Sequence, residues 1–161
     1  MRKHLILAAA LFPALLTAQS TLTLSGPANV RPGQVAALAL TLTAPVAPVG
    51  VQWTIAIPPA LGAAVVSSSV ADKTLHSEAG KSLLVGMNAT PIAIGEVAKY
   101  SITILPTTTP GVYQVSLSGL IAADALGDEM PISSGAVYEV TVLTDAVLPP
   151  SEISVSIEEA L

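Results

Sequence analysis

"QVAALALTLT", residues 34–43, sends Leu38, Leu40 and Leu42 to one side of an extended chain and Ala39, Thr41 and Thr43 to the other. A helix would scatter these leucines around its circumference, whereas a strand, with a side-chain period of two, gathers them on one face. The alternation recurs downstream. In "VQWTIAI", residues 51–57, Val51, Trp53, Ile55 and Ile57 stand against Gln52, Thr54 and Ala56. In "AKYSITI", residues 98–104, Ala98, Tyr100, Ile102 and Ile104 stand against Lys99, Ser101 and Thr103. Each stretch reads as a half-buried strand with an apolar inner face and a small, polar outer face.

Further strands are expected at "TLTLS", "AAVVSSSV", "SLLVGMN", "VYQVSLSGLI", "MPISS" and "AVYEVTVL", punctuated by the turn signals "RPGQ", "APVAP", "IPPALG", "TTTPG" and "ALGDE". No window of helix length keeps a 3.6-residue period. The one candidate for a helical turn is "TPIAIG", residues 90–95. About nine short strands with polar outer faces suit an all-β fold, a two-sheet antiparallel β-sandwich with jelly-roll topology. The chain has no Cys, so no disulfide framework braces it and stability must come from packing.

The two ends differ from this pattern. Residues 1–18, "MRKHLILAAALFPALLTA", have Arg2 and Lys3 ahead of an apolar run from Leu5 to Leu16, and read as a secretory signal peptide cleaved after Ala18. That run is too short to span a bilayer, and no later apolar stretch is long enough. Residues 19–144 form the predicted sandwich. Residues 145–161 make a tail interrupted by Pro149 and Pro150, readable as a loosely ordered end, a linker stub, an edge strand at "EISVSI" or a docking peptide. Without the leader, Arg31, Lys73, Lys81 and Lys99 are the basic residues against eleven acids. Phosphate neutralisation needs clustered Lys and Arg, so nucleic acid is excluded as a partner class. The expected product is exported, extracellular or periplasmic.

Asp124, Asp128 and Glu129 in "GLIAADALGDEMPI", residues 119–132, are the cluster that most resembles a chemical site. A calcium loop needs several oxygen ligands at alternating positions. Here Ala125 and Leu126 follow Asp124, and Asp128 and Glu129 are adjacent. A polar hairpin loop, with Gly127 supplying a positive φ, fits the spacing better, and calcium is the minority option. Ile121 ends the preceding strand and "MPI" begins the next. For nucleophilic catalysis the one histidine after the leader is His76 in "DKTLHSEAGK", with Ser77 and Glu78 beside it. Sequence neighbours rarely make a triad, and no G-x-S-x-G elbow occurs. His76 therefore reads as an exposed loop residue, and the domain as non-enzymatic and without a cofactor. Trp53, Tyr100, Tyr113 and Tyr138 each share the register of their strand's apolar face, which predicts core packing and leaves no flat aromatic platform for polysaccharide. The outer faces carry Ala37, Ala39, Thr54, Ala56, Ser116 and Ser118, small side chains that a protein partner can dry at modest cost.

Taken in order, "NVRPGQVAALALTL", "VGVQWTIAIPPAL", "AAVVSSS", "LLVGMN", "PIAIGEVAKYSITI", "GVYQVSLSGLIAADALGDEMPI" and "GAVYEVTVL" resemble a cohesin module, the secreted jelly-roll domain that receives dockerins in cellulosome-type assemblies. The resemblance spans residues 21–143. One departure is visible: Ile57 and Pro58 stand where cohesins commonly show an aromatic residue and an Asp. The resemblance implies docking of a partner protein on one sheet face, with calcium carried by the dockerin. It places partner-binding candidates at Gln52, Thr54 and Asn88, outward positions of the 50–58 and 82–88 strands. Fold relatives include sugar-binding modules, so a carbohydrate-binding module stays open as an alternative, as does a self-assembling surface protein.

Overall fold

The computed structural model describes residues 19–144, so the inferred leader and tail lie outside the described residues. Twelve strands follow in order: β1 (Ser20–Ser25), β2 (Asn29–Val30), β3 (Val35–Thr43), β4 (Gly50–Ala56), β5 (Ala64–Ser68), β6 (Thr74–Glu78), β7 (Lys81–Val85), β8 (Gly95–Thr103), β9 (Gly111–Ala123), β10 (Glu129–Met130), β11 (Ile132–Ser134) and β12 (Tyr138–Val142). They build two sheets packed face to face. One runs β11-β1-β3-β8-β5; the other runs β2-β12-β9-β4-β7-β6, with β10 paired to β9. Among the described residues one helical turn occurs, a 3-10 turn at Pro59–Leu61.

The alternation of β3 is borne out residue by residue. Leu38, Leu40 and Leu42 are buried in the core with Leu22, Trp53, Leu84 and Ile102, while Ala37 and Thr43 are exposed and Ala39 and Thr41 half-buried. Burying a leucine of this kind is worth about 2 kcal/mol.

Four expectations are corrected. The sandwich is not wholly antiparallel: β1 pairs with β11 and β12 with β2 in parallel. Both parallel pairs join distant parts of the chain, where hairpin turns impose no direction. The expected "MPISS" strand is two strands in different sheets, β10 and β11, because Pro131 lacks the N–H needed to continue one ladder. Residues 90–95 form no helical turn; the turn lies instead in "IPPALG". There Leu61 plugs the core, and Gly62 runs so close to Thr103 that a Cβ would collide with its carbonyl oxygen. Finally, His76 belongs to a strand, β6, and not to a loop, though it is exposed as expected. As an edge strand, β6 needs no apolar stripe, which is why alternation failed to reveal it.

The two sheets are tied by a polar chain that is buried at Trp53, Tyr100 and Ser82 and ends at exposed Ser77. Trp53 Nε1, from β4, donates to Tyr100 Oη of β8 at 2.6 Å. That hydroxyl lies 3.3 Å from Ser82 Oγ, which in turn lies 3.0 Å from Ser77 Oγ. Trp53 and Tyr100 are thus core residues, as their register predicted. Tyr113 and Tyr138 are half-buried, and their hydroxyls donate to backbone carbonyls, at 2.8 Å to Thr109 and 2.5 Å to Pro27. On the outer surface, Ser69 Oγ donates to Glu96 Oε1 at 2.7 Å and ties the end of β5 to β8.

Tyr100→Phe strips Trp53 Nε1 and Ser82 Oγ of their shared partner without opening a large cavity, and is expected to cost about 1–3 kcal/mol in urea unfolding. The bond from Ser69, more than the nearby Lys99, holds the Glu96 carboxyl below its usual value. This contribution is present above the ordinary carboxylate range and fades as pH falls through the lowered value. Ser69→Ala should move the Glu96 titration upward in carboxylate-detected NMR.

Candidate functional site

The outer face of β9-β4-β7-β6 gathers the side chains with most binding potential. Register aligns two cross-strand rows. One is His76, Leu83, Gln52 and Ile121; the other is Glu78, Lys81, Thr54 and Ser118. Leu83 is 39% exposed and Ile121 46%, so the half-buried Gln52 amide lies between two apolar side chains open to solvent. An open groove of about 820 Å³ runs beside this row, lined by Gln52, His76, Glu78, Lys81 and Leu83 among others. At the other end of the same face, Gln114 Nε2 donates to Glu139 Oε1 at 2.8 Å and forms a polar margin.

Ile121 reaches this face through a local irregularity. Gln52 pairs with Ile121 but Thr54 pairs with Ser118, so Gly119 and Leu120 together oppose Trp53. This is a β-bulge, and Gly119 supplies the left-handed backbone (φ 57) that it requires. The extra residue reverses the parity of β9. Val115 points inward before the bulge and Ala122 after it. Ile121 is therefore turned outward, and the strand runs on to Ala123, two residues past the end expected at Ile121.

Of the sequence candidates, Gln52 and Thr54 lie together at the middle of this face. Asn88 does not join them, because β7 ends at Val85 and Asn88 sits on the following loop. Its Oδ1 accepts a hydrogen bond from Lys73 Nζ at 3.0 Å. Sequence reasoning missed Leu83 and Ile121; the Gly inside an otherwise regular strand pattern was the available signal for the second. His76 and Ser77 do not converge on one site. Successive side chains of β6 alternate, so His76 faces outward beside Leu83 while Ser77 meets Ser82 at the inner side.

The acids are drawn into their own loop. Asp124 Oδ1 accepts from Leu126 N at 2.8 Å and Asp128 N at 2.9 Å, and Gly127 adopts φ 86. The carboxylate thus caps the turn that its spacing suggested. Glu129 stands apart on β10, paired with Ala123. Among the described residues no group of three or more His, Asp or Glu is placed to hold a metal ion. No helix among them is long and apolar enough to cross a membrane. Asp124→Ala should lower stability by about 1 kcal/mol through loss of these bonds. Added calcium should leave the thermal midpoint of both proteins unchanged in a melting experiment.

No protein-family profile matches the chain, nor does any curated protein. Solved structures do. The chain is similar to the cohesin module of a family 33 glycoside hydrolase from Clostridium perfringens, with TM-score 0.66, 12% identity, and coverage of 80% of this chain and 100% of that one. It is similar to the second type II cohesin module of the cellulosomal adaptor scaffoldin ScaA from Acetivibrio cellulolyticus (TM-score 0.59, 10% identity, 78% and 98% covered). A non-cellulosomal cohesin from the archaeon Archaeoglobus fulgidus also matches, with TM-score 0.58, 12% identity, and 78% and 92% covered. At such identities the likeness is one of architecture. By its sheets, its strand order and these neighbours, the chain has the fold of a cohesin module.

Proposed function

We propose that this chain is an exported, non-catalytic interaction module that anchors a partner protein on the outer face of β9-β4-β7-β6. The observation that carries the reading is the Leu83–Gln52–Ile121 row, two exposed apolar side chains around a half-buried amide. An interface core of this type excludes water readily, and the surrounding His76, Glu78, Lys81 and Glu139 form the polar rim that protein interfaces carry. The neighbours named as cohesin modules support a protein ligand. A dockerin-like module bearing its own calcium, or another exported protein, is the partner class, with a role in polysaccharide breakdown as its setting. The leader-like residues 1–18 support export.

Carbohydrate is the competing ligand, favoured by the hydrogen-bonding groups around the groove, Gln52, His76, Glu78 and Lys81. Against it, none of the four aromatic side chains of the sandwich lies on that face, so sugar rings have nothing to stack on.

Immobilised protein should retain a defined component of the producing cell's secretome, with calcium deciding whether a dockerin-like partner is involved. Leu83→Asp and Ile121→Asp should each weaken that capture about 10-fold or more. Val65→Asp, on the outer face of the opposite sheet, should leave it unchanged. Retention that survives both face variants, or retardation in polysaccharide gels with no protein captured, would refute protein docking at this face.

A further inference from the structure

Away from the docking face, one basic side chain has been taken out of water. Lys73 immediately precedes β6, and its side chain is 0% exposed. Nζ donates to Asn88 Oδ1 at 3.0 Å and to Thr90 O at 2.5 Å, and Asp72 Oδ2 stands 3.9 Å from the same nitrogen. Gly86 makes the encounter possible: a Cβ there would lie 2.9 Å from both Lys73 Cδ and Nζ, and 3.0 Å from Asn88 Oδ1. Backbone has therefore been cut back where amine and carboxamide meet. A buried ammonium is costly unless a carboxylate engages it directly, and here the carboxylate is beyond hydrogen-bond distance. A neutral product filling the same space removes that cost.

We propose that Lys73 and Asn88 condense into an intramolecular isopeptide bond, with Asp72 carrying the proton. Asp72 Oδ2, 3.9 Å from Nζ, takes a proton from it through one bridging water, and the freed amine attacks Cγ of Asn88. The Nζ–Cγ bond forms and a second Nζ proton passes to Nδ2; the Cγ–Nδ2 bond breaks and Nδ2 leaves as ammonia, which takes up the proton held by Asp72. An ammonium and a carboxamide thus become a secondary amide and an ammonium ion, and no oxidant or co-reactant is consumed.

The bond has a mechanical use. Lys73 enters β6 and Asn88 follows β7, so the link closes the base of the edge hairpin that forms one end of the docking face. An edge strand held by one neighbour is the first to peel under load, and a chain without Cys cannot brace it with a disulfide. Closing a loop between residues 15 apart restricts the unfolded chain as a disulfide would.

Intact mass spectrometry of the denatured full chain tests this, followed by proteolysis and fragmentation. The expected result is loss of one ammonia and a branched peptide joining the segment of Lys73 to that of Asn88. Both should vanish in Asn88→Ala and Lys73→Met. Asp72→Asn, folded by circular dichroism, should form the link about 100-fold more slowly. An unmodified mass in the parent protein overturns the proposal. So does ammonia loss without a branched peptide, as cyclisation of a terminal Gln19 would give. A link formed at the parent rate by Asp72→Asn would remove Asp72 from the reaction.

Discussion

One phenolic hydroxyl holds the two sheets to a single relative position. Tyr100 belongs to the five-stranded sheet, and its oxygen receives the indole N–H of Trp53 and lies against Ser82, both from the opposite sheet. Apolar contacts alone allow some sliding between sheets, whereas a buried hydrogen bond has a fixed length and direction and is expensive to leave unmade. With Trp53 committed to the core, its neighbours Gln52 and Thr54 have to face solvent. The proposed docking face is in this sense the reverse side of the Trp53–Tyr100 contact. The bulge opposite Trp53 then completes that face, because Gly119 and Leu120 share the space opposite one residue and Ile121 is turned out beside Gln52.

The inner layer was legible in the sequence because β3, β4 and β8 each bury one face and expose the other, which writes a period of two into the order of residues. What escaped was whatever alternation does not encode. β6 has a single strand neighbour and carries mostly polar side chains, so "TLHSE" looked like a loop. The parallel pairings of β1 with β11 and of β2 with β12 join segments far apart in sequence, and no local pattern specifies them. The candidate face was half legible. Gln52 and Thr54 followed from the register of the Trp53 strand, while Ile121 required counting through a bulge, which reverses every position after it. Asn88 was placed by extending β7 three residues past its end at Val85.

The acids at the tip of the β9–β10 connection illustrate a general ambiguity of carboxylates in a low-charge chain. Three acids within six positions suggest coordination, but one carboxylate accepting two backbone N–H groups organises a turn just as well. Local demand for acceptors explains its position: the turn exposes the amides of Leu126 and Asp128, and Asp124 is the side chain within reach. The buried Lys73 is the converse case. Nothing around residue 73 in sequence marks it as interior, and its partners Asn88 and Thr90 come from a loop across the edge hairpin.

The parallel pairing of β1 with β11 bears on how the sandwich can be assembled in time. Ser20 at the beginning of the domain lies beside Ile132 near its end, and the crossover at Pro131 delivers that partner strand late. A chain emerging from its N-terminus holds β1 with one neighbour, β3, until residue 134 has followed. Pairings between segments this distant must first overcome the entropy of closing a long loop, so they form slowly. The sandwich therefore closes last at the edge where it began, and a partly emerged chain keeps an incomplete sheet.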